Sequence, residues 1–85
     1  MRHVSAARLD ELDDVLLELR RVDGLKEKKR GVFYRGSRAF LHFHEDPTGL
    51  YADVRLEGAD FERMRVTTKA EQKRLLSVVR AAARR

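Results

Sequence analysis

The sequence contains no cysteine and no tryptophan, a single proline and no long apolar segment. Without cysteine, disulfide bonds, thiolate metal sites and cysteine nucleophiles are all excluded. No apolar run approaches the ~20 residues that a membrane-spanning helix needs, and the first residues lack the apolar stretch of a signal peptide. We therefore expect a protein of a bacterial-type cytoplasm, with no membrane partner.

The chain has 85 residues, which is enough for one small domain with a core between two packed layers. Charged residues make up 39% and hydrophobic residues 42% of the chain, as is typical of soluble, folded proteins. The net charge of +5 is unevenly distributed. Residues 59–85 carry eight basic and three acidic side chains, whereas residues 1–24 carry four and six. The basic end could meet nucleic acid, an acidic partner or the protein's own first helix.

Apolar residues recur every three or four positions near the start of the chain, which predicts an amphipathic helix from Ser5 to Val22. Ser5 is a suitable N-cap residue. Asp23-Gly24 should end the helix, because glycine readily takes the left-handed C′ position. The charged run KEKKR at residues 26–30 is interpreted as a solvated connector.

Three strands are predicted next, at Val32–Arg35, Arg38–Glu45 and Leu50–Leu56. Gly36-Ser37 suits a two-residue hairpin loop. A four-residue loop at residues 46–49 is preferred because it sets apolar residues opposite apolar residues in the two strands that it joins.

This register divides the predicted sheet into two faces. The core face should carry Val32, Tyr34, Ala39, Leu41, Phe43, Ala52, Val54 and Leu56. The opposite face should carry Phe33, Phe40, His42, His44, Tyr51, Asp53 and Arg55.

The last third of the chain predicts one more strand and a helix. Phe61–Val66 is interpreted as a strand, although the spacing of Phe61 and Met64 also fits a helical turn. Thr68 and Glu71 form a capping box that begins the final helix. The expected fold is α+β, a four-stranded antiparallel sheet flanked by N- and C-terminal helices in the order αββββα, most simply with both helices on one face.

The segment Tyr34–Asp46, followed by Leu50–Val54, resembles a small bacterial family that carries the label "luciferase family". It is also similar to the YjbR-like group of small α/β domains, whose fold is compared with double-wing DNA-binding domains. The resemblance covers roughly residues 17–84 and is most distinctive at His42, His44 and Asp53. The chain lacks the long segment that those families place before their final strand and helix. The resemblance implies the fold and no established activity.

His42 and His44 lie two residues apart on a strand, so both should point to the same face. The register sets Asp53 opposite His42 and Tyr51 opposite His44. A histidine beside an aspartate can form part of a general base or of a metal site. No nucleophile accompanies them, so we expect no catalytic residue and no cofactor. Cross-strand hydrogen bonds are the preferred interpretation, and a metal site is the weaker one.

Phe33, Phe40 and Tyr51 would lie in water if both helices covered the other face. Monomers seldom expose such a patch, which favours a homodimer or a protein partner on this face. A nucleic-acid base stacked on Phe40 or Tyr51 is an alternative, as is coverage by a helix or by residues 61–66.

Four basic residues line the outer side of the last helix and could follow phosphates, or could simply be solvated. They are Lys69, Lys73, Arg80 and Arg84. The sequence therefore predicts a binding or interaction module, more readily than an enzyme, that self-associates through one sheet face. Nucleic-acid binding through the last helix is the alternative, and a ligand or metal site at His42, His44 and Asp53 comes third.

Overall fold

The structure is a computed structural model and describes residues 2–85. The elements in chain order are β1 (Arg2–His3), α1 (Ala6–Asp10), α2 (Asp13–Arg20), β2 (Leu25–Lys29), β3 (Val32–Arg35), β4 (Arg38–Asp46), β5 (Gly49–Val54), β6 (Glu62–Arg65) and α3 (Lys69–Ala83). The α+β class is confirmed, with helices towards both ends of the chain. The antiparallel sheet has more strands than the four predicted: its order is β2-β3-β4-β5-β6, and β1 pairs separately with β4. Among the described residues, no helix has the length and apolar character needed to cross a membrane.

The first predicted helix is two helices, α1 and α2. Ser5 caps α1, since its side chain accepts a hydrogen bond from the Arg8 amide at 3.3 Å. The amides of Glu11 and Leu12 bond three residues back, and this tighter turn separates the two helices. α2 ends earlier than predicted, and Gly24 takes its positive φ in the turn that follows rather than at C′.

The interpretation of residues 26–30 as a connector is wrong, because Leu25–Lys29 forms the edge strand β2. Glu27 pairs with Phe33 and turns towards the helices, where the Arg20 guanidinium and the Gly31 amide donate to its carboxylate. Charged residues, lysine above all, are common on edge strands because they prevent pairing with another chain. The strand lacks apolar alternation because Glu27 takes the inward position that follows Leu25.

The predicted register between β4 and β5 is confirmed, with Leu41 opposite Val54 and Phe43 opposite Ala52. At this hairpin each strand extends one residue further than predicted, so only two residues, 47–48, form the loop. At its other end β5 stops at Val54, before the predicted Leu56. The strand interpretation of the segment after residue 61 is also confirmed over Glu62–Arg65, which pairs with β5. The helical-turn alternative is therefore wrong.

A β-bulge between β3 and β4 changes the predicted faces. Phe33 pairs with Leu41 but Tyr34 pairs with Ala39, so Phe40 is an extra residue in β4. Phe33 is 0% exposed and Phe40 is 3% exposed, and both belong to the core. Their predicted places on the opposite face are wrong. One extra residue reverses the alternation along β3, so the core-face positions predicted for Val32, Tyr34 and Ala39 are wrong as well.

Both helical regions cover one face of the sheet, as predicted. A single buried cluster joins α2, α3 and the inward residues of the strands; it includes Leu16, Leu19, Phe33, Leu41, Phe43, Val54, Leu75 and Val79. α3 begins with the predicted capping box: the Glu71 amide donates to Thr68 Oγ1 at 3.1 Å, and the Thr68 amide donates to Glu71 Oε1 at 2.9 Å. Within residues 2–85, no helix covers the other face. We call it the open face, and His42, His44, Tyr51 and Asp53 lie at its centre.

Candidate functional site

The two central strands bring His42, His44 and Asp53 together on the open face. The register sets His42 opposite Asp53 and His44 opposite Tyr51, as predicted. One ligand atom from each of His42, His44 and Asp53 lies within 4.8 Å of those of the other two. Around a tetrahedral zinc ion with bonds of about 2.0–2.1 Å, adjacent ligand atoms are roughly 3.4 Å apart. Side-chain movements of about 1 Å would therefore bring the three groups to coordination distance.

Asp53 is 8% exposed and is held by Arg63 of β6. Arg63 Nε donates to Asp53 Oδ1 at 2.7 Å, and Arg63 Nη2 donates to Oδ2 at 2.9 Å. These hydrogen bonds outweigh the effect of burial and lower the pKa of Asp53. The carboxylate is therefore charged at neutral pH. It can serve as an anionic ligand, but its low pKa makes it a poor general base.

Burial lowers the pKa of His42, and the nearby imidazole of His44 lowers it further. At neutral pH this ring is therefore uncharged. The neutral imidazole has a free ring nitrogen lone pair and is the form that binds metal ions.

Three ring nitrogens of this cluster are buried without a hydrogen-bond partner within residues 2–85: His42 Nδ1, His44 Nδ1 and His44 Nε2. His44 Nε2 lies 3.1 Å from Asp53 Oδ2, close enough for an ion pair but not aligned for a hydrogen bond. The cross-strand hydrogen bonds preferred from the sequence are therefore not formed by these atoms. Buried nitrogens without partners are uncommon, and a cluster of them is compatible with a metal-ligating role.

Two further side chains complete the cluster. The His3 ring stacks on His44 with centroids 5.4 Å apart and an interplanar angle of 26°, because β1 sets His3 opposite His44. The Phe61 ring packs edge-on against His42 at 4.9 Å, and the Arg55 guanidinium lies over Phe61 at 4.2 Å. All three histidines of the chain thus lie in this cluster.

Sequence reasoning missed His3 and the pairing of Arg63 with Asp53. The only signal for His3 was that the chain has so few histidines, since a two-residue strand leaves no periodicity to detect. Coverage by residues 61–66 is one of the alternatives that the sequence leaves for this face, and the Phe61 ring packs there against His42.

The remaining residues predicted for this face serve mainly structural contacts. Arg55 Nε donates to the Ala39 carbonyl at 2.9 Å, and its Nη1 donates to the Ala59 carbonyl. The Tyr51 hydroxyl shares a hydrogen bond with Thr48 Oγ1 at 2.6 Å. Because Phe33 and Phe40 lie in the core, the predicted patch of three exposed aromatic rings is not formed.

The four basic residues that were predicted to line the last helix divide into two pairs. Lys69 Nζ lies 3.7 Å from Asp14 Oδ2, and Arg80 Nη2 donates to Glu18 Oε1 at 2.8 Å, so both face the acidic helix α2. Lys73 and Arg84 are exposed and make no ion pair in the part of the chain that the structure describes. The four side chains therefore do not form a continuous free row, and nucleic-acid binding through α3 stays a prediction.

Comparison with models of known protein families, with curated proteins and with solved structures finds no match to this chain. The resemblance to the luciferase family and the YjbR-like group therefore stays a prediction, and the geometry of the site is the ground for assigning a function.

Proposed function

We propose that this domain is a binding module that holds a divalent transition-metal ion on its open face through His42, His44 and Asp53. The observation that carries the proposal is the group of buried, unpartnered ring nitrogens beside a charged carboxylate, with ligand atoms within 4.8 Å of one another. Imidazole and carboxylate ligands together suit zinc, nickel and copper, whereas magnesium prefers oxygen ligands alone.

The energy of the metal-free cluster supports the same proposal. A buried polar atom without a hydrogen bond costs about 1–3 kcal/mol. An ion bound to the free lone pairs of His42 and His44 would remove part of that cost. The Arg63 guanidinium repels a cation at this site, but the Asp53 carboxylate that accepts its two hydrogen bonds still has free lone pairs for a metal ion.

We propose binding rather than catalysis because the acid–base character of the site is weak. The carboxylate of Asp53 has a lowered pKa and is held by Arg63, so it has little tendency to accept a proton. Self-association through the same face is a second proposal. It is supported by the ring of Phe61, which is 37% exposed on that face.

Thermal unfolding with zinc chloride tests the metal-binding proposal. Zinc at 100 times its Kd should add about 2.7 kcal/mol of stability, provided that it binds only the folded chain. For a domain of this size, that gain corresponds to a rise in Tm of more than about 10 °C. Magnesium chloride at the same concentration is expected to leave Tm unchanged, which controls for ionic strength.

Two variants locate the site. His42→Gln removes a ligand and should abolish the zinc-dependent rise in Tm. Glu62→Gln removes an exposed carboxylate from β6, opposite Val54 on the other face of the sheet, and should leave the rise intact. A wild-type Tm that zinc does not change, or a rise that persists in His42→Gln, would contradict the proposal.

A further inference from the structure

His3, the histidine that the proposed site does not include, reaches the same cluster from strand β1. We propose that His3 is a further ligand of the metal ion, so that metal binding holds strand β1 against β4. This inference rests on the proposed function. It adds a fourth ligand to the metal site and couples metal binding to the docking of β1.

The position of β1 places His3 within reach. β3 pairs with β4 up to His42, and β1 takes the next place along the same edge of β4 through Arg2 opposite Glu45 and His3 opposite His44. Side chains directly opposite each other on neighbouring strands have Cβ atoms about 4.5–5.5 Å apart. The His44 ring is the common neighbour of the other two: its centroid lies 5.4 Å from that of His3 on the adjacent strand β1 and 4.7 Å from that of His42 on the same strand β4.

With His3 added, the donor set reaches the four ligands of a closed tetrahedral zinc site. His42, His44 and Asp53 supply three ligands, and a closed tetrahedral zinc site needs four. His3 is exposed, so its ring can turn out of the stack on His44 without displacing a buried side chain. Its ring nitrogens are not part of the group whose ligand atoms lie within 4.8 Å of one another, so the ring has to leave the stacked position to bind the ion.

The coupling follows from how weakly β1 is held. The strand has two residues, both exposed, and it pairs with β4 through those two residues alone within the described chain. The chain is anchored behind it, where Val4 packs against the core and the Ser5 amide donates to Glu45. Such a short segment opens at little free-energy cost. A metal ion that bonds to His3 binds the docked arrangement more tightly than the open one, and so it shifts the population towards docked β1.

Zinc titration by calorimetry, combined with amide hydrogen exchange, tests the inference on the full chain. His3→Gln should weaken zinc binding by at least about tenfold, since loss of even an outer-sphere partner has that effect. Arg2→Gln, a neighbouring change in the same strand, should leave the affinity unchanged. Zinc should slow exchange of the amides of residues 2–4 in the wild type but not in His3→Gln. His3→Asp, which restores a donor, should bind zinc more tightly than His3→Gln.

The outcomes separate the two proposals. If His3→Gln binds zinc as tightly as the wild type and zinc slows exchange equally in both, His3 is not a ligand and the proposed function still stands. If the wild type takes up no zinc, both proposals fail. Unfolding of metal-free His3→Gln at the wild-type temperature would establish that a lost affinity comes from the missing ligand and not from a lost fold.

Discussion

At the scale of single residues, Gly49 shows how closely the sheet packs where β5 begins. It is buried and has φ of +144°, a conformation that favours glycine. A Cβ built on Gly49 would overlap Thr67 Oγ1. That hydroxyl oxygen accepts a hydrogen bond from the Leu50 amide at 2.9 Å, which fixes the chain between β6 and α3.

Gly49→Ala is therefore expected to destabilise the protein by about 2–4 kcal/mol. The unfavourable backbone conformation accounts for about 1–3 kcal/mol of this, and displacement of Thr67 from its hydrogen bond adds about 1 kcal/mol. Urea unfolding at 25 °C measures the loss. Gly58→Ala is the control, because Gly58 also has positive φ, at +65°, but a Cβ there meets nothing within 4 Å. Equal losses in the two variants would show that Thr67 does not constrain Gly49.

At the scale of secondary-structure elements, the edge strand β2 depends on its one inward charge. Burial alone would raise the pKa of Glu27, but hydrogen bonds from Arg20 and the Gly31 amide outweigh burial and lower it. A carboxylate with a lowered pKa stabilises the fold above its unfolded value of about 4.3. That stabilisation is lost as the pH falls through the lower, folded value.

Glu27→Gln is expected to cost about 1 kcal/mol at pH 7, because the amide cannot reproduce the charged pairing with Arg20. The difference from the wild type should shrink as the pH is lowered from 7 into the acid range, since the wild-type carboxylate is then protonated as well. Urea unfolding across that pH range measures the difference. Lys26→Gln, an exposed change on the same strand, should show little effect at either end of the range. A loss in Glu27→Gln that does not depend on pH would contradict the role of its charge.

How far these elements could be predicted depends on whether their signal is local. β4 and β5 alternate regularly on either side of a tight turn, and α3 begins with a capping box, so the register between β4 and β5 and the start of α3 were predicted correctly. β2 has no apolar alternation, and β1 has two residues that pair about forty positions away. Neither strand could be recognised without the fold around it.

The bulge escaped prediction for a different reason. With or without an extra residue at Phe40, the hairpin sets apolar side chains opposite apolar ones, because Phe33, Phe40 and Leu41 are all apolar. Alternation alone therefore could not choose between the two arrangements. The candidate site was predicted as far as His42, His44 and Asp53, which one hairpin brings together. His3 and Arg63 come from strands on either side of that hairpin.

At the scale of the whole molecule, the acidic first part and the basic last part of the chain form ion pairs with each other. Asp14 and Glu18 of α2 face Lys69 and Arg80 of α3, so part of the basic end is directed at the acidic end. Such exposed pairs each contribute only about 0–1 kcal/mol, and the two helices are held mainly by their shared apolar core. The charge asymmetry therefore does not by itself require a nucleic-acid partner.

Which face of the sheet is covered decides how self-association must be tested. Phe40 lies in the core, so Phe40→Glu would bury a carboxylate there and lose the packing of the ring, which alone is worth about 3–5 kcal/mol. A chain of this length has a total stability of roughly 4–13 kcal/mol. We expect Phe40→Glu to be largely unfolded by circular dichroism. Phe61→Glu, on the open face, should keep the fold and should lower the mass in light scattering if the wild type is a dimer.

These two variants also test the bulge itself. In the register expected from the sequence, Phe40 lies on the surface, and Phe40→Glu would change the mass of the protein without unfolding it. A folded Phe40→Glu variant would therefore show that Phe40 lies on the open face. The apolar surface available for self-association would then be larger than the structure indicates. An unfolded Phe40→Glu variant beside a folded Phe61→Glu variant would leave the histidine cluster as the chemically distinctive feature of that face, because only that cluster combines buried ring nitrogens with a charged carboxylate.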